Sequence, residues 1–182
     1  MRKQEDENEQ YKNMHDKNLL FLDIDGVLNS HQWIDRCLRL QVKMGNESRQ
    51  QYEYHNQLDE EACDVLAHIV KKFDLHIIIS SSWHITGFEA IKDILLYKYG
   101  IFNRVIGVTP RDNQNHHRGT EIKSWFELTE KHQLRDWSVN KFVILDDDSD
   151  IEPFMDKFVK IDRQNGLRYQ NIPEIEAVLN CQ

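Results

Sequence analysis

Two acidic residues separated by one position follow a short apolar run near the start of the chain. The run LLFLDI occupies residues 19–24, and Asp23, Asp25 and Gly26 lie at its end. A carboxylate at the end of a buried strand can act as a nucleophile, and a second carboxylate two residues later can act as acid and base. The same spacing is also ordinary turn chemistry, because Asp-Gly is common where a strand enters a loop.

Hydroxyl and carboxylate groups also follow two later apolar runs. They are Ser80, Ser81 and Ser82 at the end of the run LHIIIS, and Asp146, Asp147 and Asp148 after the run KFVIL. In an open parallel sheet, ligands bind beyond the carboxyl ends of the strands, so we expect these groups to meet at one edge. Carboxylates packed together are costly unless a cation neutralises them.

The oxygen-rich set of side chains favours a magnesium ion and a phosphoryl group as its ligands. Mg²⁺ prefers carboxylate oxygens, and phosphate oxygens and waters complete its octahedron. A cation, hydroxyl donors and a basic side chain together form a reasonable phosphoryl clamp. Arg118 and Lys123 are the two candidates for that basic side chain.

The elements that must position these residues alternate between strands and helices. We predict strands at 19–24, 75–80, 102–109, 141–145 and 158–162, and helices at 59–73, from Thr86 to Gly100, at 120–132 and at 173–180. This alternation predicts an α/β fold, a Rossmann-like three-layer sandwich with a central parallel sheet of about five strands.

Length and composition favour one domain. The chain has 182 residues and a formal net charge of -8, so contact with a nucleic-acid backbone would need a local basic patch. We predict a polar tail at 1–18, a single domain at 19–182, and within it an irregular insertion or flap at 31–57. Three cysteines without a CxxC pair, no apolar run long enough for a bilayer and no secretory signal favour the cytoplasm and no membrane partner.

Several segments in chain order carry a family resemblance. FLDIDGVLN resembles the first motif of the haloacid dehalogenase (HAD) superfamily of phosphatases, IIISSSW its second motif and VILDDDSD its fourth. SSSW, GVTP, RGTEIKSW and LDDDSD are also similar to the HAD domain found in Swiss Army Knife RNA repair proteins. The resemblance covers about residues 19–167 and implies a HAD-like fold, here with no large cap domain.

The resemblance implies a nucleophile, an acid–base residue and a metal site. Asp23 would attack phosphorus and become an aspartyl-phosphate, and Asp25 would protonate the leaving group and then activate water. Mg²⁺ would be bound by Asp23, by the backbone carbonyl of Asp25 and by Asp147, with Asp146 or Asp148 in support. Many superfamily members also carry an acid where this chain has Ile151, and Asp150 is the nearest substitute.

The resemblance also implies which residues hold the phosphoryl group. Ser81 would bind its oxygens, and Arg118 would supply the positive charge of the third motif. The remaining candidates for substrate binding are Ser80, Ser82, Gly26 and Lys123.

The expected function is Mg²⁺-dependent hydrolysis of phosphomonoesters, on a nucleic-acid end or a nucleotide. The alternatives are a small phosphorylated metabolite, a phosphoprotein, or a HAD-like binding module without turnover, because a fold does not determine a substrate. The presence of both Asp23 and Asp25 argues against a module without turnover. A receiver domain is disfavoured because its multiple acids come early in the chain. A glycosyltransferase with a DxD motif would not need SSSW and RGTEI.

Overall fold

A computed structural model describes residues 16–44, 58–83, 99–111 and 117–181 of the chain. In chain order its strands and α-helices are β1 (Lys17–Leu22), α1 (His31–Met44), α2 (Glu60–Lys72), β2 (Leu75–Ile79), β3 (Val105–Val108), α3 (Arg118–Lys131), β4 (Val139–Asp146), β5 (Phe158–Lys160) and α4 (Ile172–Asn180). None of the helices within the described ranges is long and apolar enough to cross a membrane.

The strands form one five-stranded sheet in the order β3-β2-β1-β4-β5, and every pairing is parallel. Alternate residues of β1 point to opposite faces of this sheet. Leu20 and Leu22 pack in the cluster that contains residues of α2 and α4. Leu19 and Phe21 pack in the cluster that contains residues of α3. Both faces of β1 are therefore covered, which explains its continuous apolar run and confirms the predicted three-layer α/β sandwich.

The register of the sheet brings three strand ends to the same level. Leu22 in β1 pairs with Leu145 in β4 and with Ile79 in β2. The amide of Asp23 donates to the carbonyl of Leu145 at 3.0 Å, and the amide of Ser80 donates to the carbonyl of Leu22 at 2.8 Å. The chain runs outward from β1 through β2 to β3 and then crosses to β4 on the other side of β1. The point where the topology reverses therefore lies between the ends of β1 and β4.

The first part of the predicted insertion is helical. Residues 31–57 are predicted to be irregular, but His31–Met44 forms α1, and Ser30 accepts a hydrogen bond from the amide of Trp33 at its start. The irregular prediction is wrong for this part, and Ile34 and Leu38 of the helix are exposed, so these two apolar residues do not mark a core face. The rest of the predicted flap, 45–57, lies outside the described residues.

The first strand begins earlier than its apolar run. Lys17 and Asn18 are assigned to the polar tail by the sequence, yet both belong to β1. The amide of Lys17 donates to the carbonyl of Ser138, and the Asn18 side chain donates to the carbonyl of Phe73, each at 2.9 Å. Polar residues can thus extend a strand when their hydrogen bonds are satisfied at its end. The tail at 1–15 lies outside the described residues.

Other element boundaries differ from the predictions by a few residues. The predicted strand at 102–109 contains a 3₁₀ turn, Phe102–Arg104, followed by the shorter β3. Helix α3 begins two residues before the predicted 120, and β4 is longer than predicted at both ends. Most of the helix predicted between Thr86 and Gly100 lies outside the described residues.

The start of α3 packs closely against the loop that follows β4. The amides of Arg118 and Gly119 donate to the side chain and the backbone carbonyl of Asp150, at 3.0 and 2.9 Å. A Cβ atom on Gly119 would overlap the backbone of Ile151 and Glu152. The missing side chain therefore allows α3 to bring Arg118 to the end of the sheet.

Replacing Gly119 by alanine should destabilise the fold by about 1–3 kcal/mol, because a backbone overlap can be relieved only by moving the helix or the loop. Alanine gains about 1 kcal/mol over glycine only in a helix interior, whereas Gly119 lies in the first turn of α3, so the overlap should dominate. Urea unfolding measures the change. The matched control is Gly107→Ala, whose Cβ would meet Ile78 at an ordinary 3.4 Å. Equal stability of the two variants would contradict the close packing at Gly119.

Candidate active site

Three carboxylates meet at the reversal point of the sheet. Asp23 follows β1, Asp146 ends β4, and Asp147 comes next. One oxygen from each lies within 4.8 Å of the others. Asp23 is 5% exposed and Asp146 is 1% exposed, so the protein holds like charges close together and away from water. This is the arrangement that the sequence predicts for these three residues.

Burial raises the pKa of two of these carboxyl groups, those of Asp23 and Asp146. Loss of hydration raises the pKa of Asp23 from 3.8 to about 7; the charge of Asp146 adds to the rise, and Arg118 opposes it. Burial likewise raises the pKa of Asp146 from 3.8 to about 6, again against Arg118. A further positive charge at this place would therefore favour the ionised forms of both.

Arg118 supplies a positive charge next to the acidic residues of the site. Its Nε donates to Asp146 at 3.0 Å, its Nη1 donates to Glu121 at 2.9 Å, and its Nη2 lies 3.5 Å from Asp23. Burial by itself would lower the pKa of Arg118, but the three carboxylates outweigh burial and raise it above its ordinary value. The guanidinium is thus a permanent positive charge with contacts to three acids.

Asp25 lies on the solvent side of Asp23 and is held by polar neighbours. Its Oδ1 accepts hydrogen bonds from the Asn29 amide at 2.7 Å and from the Trp83 indole at 2.9 Å. Its Oδ2 has a longer contact of 3.4 Å with the Ser82 hydroxyl. These contacts orient the carboxylate at the mouth of the site, next to solvent.

The backbone at Gly26 requires a residue without a side chain. Its φ is +72°, in the region that favours glycine, and its amide donates to the Asn29 side chain at 2.9 Å. A Cβ atom here would overlap the carboxylate of Asp147. Gly26 therefore lets the loop after β1 approach the end of β4.

The three serines after β2 have different surroundings. Ser81 is fully buried, and its side chain hydrogen-bonds Asp23, which favours the ionised carboxylate. Ser80 is also buried, and its hydroxyl accepts a 3.5 Å contact from Thr109. Ser82 is exposed, lines the cavity and contacts Asp25. Of the three, Ser81 is the one beside the predicted nucleophile.

Two further residues considered from the sequence have other partners in the structure. Lys123 is 59% exposed, forms a 3.8 Å ion pair with Glu127, and is not among the residues that line the cavity. Asp150, considered as a substitute acid for Ile151, lines the cavity, but its carboxylate binds the backbone amide of Arg118.

Several residues that contact the site escaped the sequence analysis. Glu121 is buried and binds Arg118 three residues earlier; the i, i+3 spacing of the basic and acidic residues in RGTE could have indicated this pair. Asn29 lies four residues after Asp25 in the first motif. Arg163 contacts Asp147, and its position sixteen residues later leaves no local signal.

These residues surround an open cavity of about 450 Å³. Six of its lining residues are acidic and two are arginines, and they are Asp23, Asp25, Asp146, Asp147, Asp148, Asp150, Arg118 and Arg163. The excess of negative charge would repel a phosphorylated substrate unless another cation were present.

The donor set fits a divalent metal ion. Asp23, Asp146 and Asp147 offer oxygen ligands close together, as a hard cation such as Mg²⁺ requires. Both oxygens of Asp146 already accept hydrogen bonds, from the Asp148 amide and from Arg118. Within the described residues only Oδ2 of Asp147 accepts a hydrogen bond, from Arg163, so Asp147 is better placed than Asp146 to bind an ion directly. The carboxylate of Asp25 is outside this group, which is compatible with its expected contribution through the backbone carbonyl.

Comparison with known proteins identifies one family. Residues 19–172 match the family described as the HAD domain in Swiss Army Knife RNA repair proteins. This match confirms the resemblance noted in the motifs and supports a HAD-type phosphohydrolase in general terms. No curated protein and no solved structure matches the chain.

Replacing Asp23 by asparagine should stabilise the metal-free protein, and the gain should grow as the pH rises from about 4 to about 7. The folded state raises the pKa of Asp23 to about 7 from 3.8, so the folded state binds the proton more tightly and loses stability as the carboxyl ionises. Asparagine stays neutral, and the gain should reach the order of a few kcal/mol above pH 7. Urea unfolding in EDTA at several pH values measures it.

The matched control for this prediction is Asp35→Asn, which changes an exposed carboxylate on α1. It should show no comparable growth with pH. A gain at Asp23 that did not depend on pH would contradict the raised pKa.

Proposed function

The chain belongs to the family of HAD domains in Swiss Army Knife RNA repair proteins, and we propose that it is a Mg²⁺-dependent phosphohydrolase with Asp23 as its nucleophile. The observation that carries the proposal is the placement of Asp23. It is a buried carboxylate at the sheet reversal, beside Asp146 and Asp147, near Arg118, with a hydrogen bond to Ser81.

The proposed reaction begins with Asp23 in its ionised form. A carboxylate oxygen of Asp23 attacks phosphorus, the bond from phosphorus to the leaving oxygen breaks, and an aspartyl-phosphate forms. Arg118 favours the ionised carboxylate from one side, and the hydrogen bond from Ser81 favours it from another. Both residues are held in place before substrate arrives, so little reorganisation is needed.

Asp25 is the proposed acid and base. In the first step it gives a proton to the leaving oxygen, and in the second it takes a proton from the water that hydrolyses the aspartyl-phosphate. Its Oδ1 already accepts two hydrogen bonds, from Asn29 and Trp83. Its Oδ2 has only the long contact with Ser82, so Oδ2 is the atom proposed to carry the proton.

Asp23, Asp147 and the backbone carbonyl of Asp25 are proposed to hold the metal ion, with Asp146 in support. When bound, Mg²⁺ supplies positive charge that neutralises the phosphoryl oxygens and favours ionised Asp23. Asp146 contributes mainly through Arg118, because both of its oxygens are already engaged.

The proposed substrate is a phosphomonoester at a nucleic-acid end or on a nucleotide. The family description names RNA repair, and this supports an RNA end by analogy. The cavity is open, and its lining includes the exposed residues Asp25, after β1, and Arg163, after β5. A small phosphorylated metabolite is the second candidate, because a cavity of about 450 Å³ would also hold one.

Turnover of an aryl phosphate should require both Asp23 and Mg²⁺. Asp23→Asn should lower kcat by at least about 10³-fold, because the nucleophile is lost, and EDTA should abolish turnover until Mg²⁺ is restored. Phosphate release measures both effects.

Asp35→Asn is again the matched control, because it removes an exposed carboxylate outside the cavity. Its kcat should equal that of the unmodified protein. Wild-type kcat in Asp23→Asn would reject the nucleophile, and full turnover in EDTA would reject the metal. No turnover of any phosphomonoester by the metal-loaded protein would favour a binding module.

The protein should release phosphate faster from oligonucleotide ends, or from nucleotides that carry a second phosphate, than from sugar monophosphates or phosphopeptides. The reason is that Arg163 at the mouth adds a charge beyond those needed to bind one phosphoryl group. A panel of 3′- and 5′-phosphorylated oligonucleotides, nucleotides, sugar phosphates and phosphopeptides, compared by kcat/KM, measures the preference. If kcat/KM is highest for a sugar phosphate, the result would favour a small phosphorylated metabolite as the substrate.

A further inference from the structure

Arg163 is the second arginine of the cavity, and it follows β5 in a loop anchored to α1. The amide of His31 donates to the carbonyl of Arg163 at 3.1 Å, and the amide of Gln32 donates to the carbonyl of Gln164 at 3.2 Å. These backbone hydrogen bonds hold the loop against the first turn of α1, and they do not depend on the position of the Arg163 side chain. The side chain lines the cavity and is 53% exposed.

The two arginines of the cavity differ in how fully they are engaged. Arg118 is 17% exposed, and its Nε, Nη1 and Nη2 each face a carboxylate. Arg163 donates through Nε to Oδ2 of Asp147, and its Nη1 and Nη2 have no carboxylate partner in the part of the chain that the structure describes. The fork of two terminal nitrogens is the part of a guanidinium that binds phosphate in a bidentate manner.

The partner of Arg163 is a residue proposed to bind the metal. Asp147 Oδ2 faces both Arg163 and the loop at Gly26. A divalent ion on Asp147 would stand close to the guanidinium, and two cations on one carboxylate repel each other. The ion carries twice the charge and is compact, so it would weaken the attraction of Asp147 for the half-exposed arginine even where it binds the other carboxylate oxygen.

The charge of the cavity indicates where a released Arg163 would bind. Six carboxylates and two arginines line the cavity, and Arg118 is already paired with Asp146. A substrate that carries a second phosphate next to the reacting one would place that phosphate at the mouth, where the other cation is Arg163. A substrate with only one phosphate has its charge met by Arg118 and the metal.

We propose that Arg163 is a substrate-binding residue that is paired with Asp147 before the metal ion binds. Binding of the metal ion releases the Arg163 side chain, which then binds a second phosphate of the substrate. The inference rests on the proposed function, because it takes Asp147 as a metal ligand and a phosphomonoester as the substrate. The second phosphate can be the phosphodiester of a nucleic-acid end or the other phosphate of a nucleoside bisphosphate.

The first test measures metal binding, because the two cations compete for Asp147. Arg163→Gln should bind Mn²⁺ about two- to five-fold more tightly than the unmodified protein, as expected for removal of an exposed ion pair. Mn²⁺ titration followed by electron paramagnetic resonance gives the dissociation constants. A merely structural role for Arg163 predicts weaker Mn²⁺ binding, so unchanged or weaker binding would overturn the proposed release.

The second test measures ligand binding in the Asp23→Asn background, where turnover is blocked and Mg²⁺ is supplied at saturation. The ligands are a nucleoside 3′-monophosphate, the same nucleoside 3′,5′-bisphosphate, and dinucleotides phosphorylated at the 3′ or the 5′ end. Arg163→Gln should weaken binding of at least one class of two-phosphate ligand about ten-fold, and should change monophosphate binding less than about two-fold. Arg163→Lys should restore only part of the loss, because it keeps the charge but not the fork.

The pattern of losses identifies the source of the second phosphate. A loss confined to the dinucleotides indicates a phosphodiester, and a loss confined to the bisphosphate indicates a free nucleotide. Equal weakening of the monophosphate and the two-phosphate ligands would overturn the inference, and so would no weakening of either.

The matched control is Lys160→Gln, which removes a positive charge from β5 outside the cavity lining, where Lys160 donates to Ser149 at 2.7 Å. It should leave metal and ligand binding unchanged; a loss equal to that of Arg163→Gln would show a general charge effect and reject the specific role. Absence of turnover by the unmodified protein would refute the proposed hydrolysis, whereas the binding ratios would still decide the role of Arg163.

Discussion

The structure depends on holding several carboxylates together, out of water, at the place where the sheet reverses direction. Asp23 and Asp146 sit at the ends of neighbouring parallel strands, and the register between Leu22 and Leu145 puts them side by side. Such an arrangement is unfavourable by itself, and the raised pKa values of both residues express that cost. The cation proposed for this site would offset that cost, because it would favour the ionised forms of both carboxylates.

Arg118 offsets part of the repulsion between the clustered carboxylates, but the charge of the cluster remains negative. Its guanidinium contacts Asp146, Glu121 and Asp23 from within the fold. It reaches them because α3 begins at Arg118, and Asp150 and Gly119 hold that end of the helix against the loop after β4. The close packing at Gly119 thus helps to place the positive charge of Arg118 beside carboxylates that are far away in the chain.

The chemistry on the solvent side depends on different neighbours. Asp25 is oriented by Asn29 and Trp83, which come from the loops after β1 and β2. A buried carboxylate and an exposed one, two positions apart, therefore occupy different environments although the same loop carries both. This separation of environments suits two roles, a nucleophile inside and a proton carrier at the mouth.

The sequence by itself determined the parallel α/β architecture, the five strands and the identity of the acidic and hydroxyl residues at their ends. These follow from local signals: continuous apolar runs mark strands covered on both faces, and polar residues directly after them must lie at the carboxyl edge. The motifs were sufficient for the family as well. Local signals were weaker at α1, whose apolar residues Ile34 and Leu38 are exposed, and at Lys17 and Asn18, whose polar side chains hide the start of β1.

Only the tertiary structure decided how the site is charged and which partners its residues have. The contacts between Arg118 and Asp23, Trp83 and Asp25, and Arg163 and Asp147 join segments that no local pattern relates. The pKa of Asp23 is likewise a property of its burial and of neighbours brought by other strands. Residue types can be read one segment at a time, whereas desolvation and ion pairing exist only once the sheet and its covering helices have brought distant segments together.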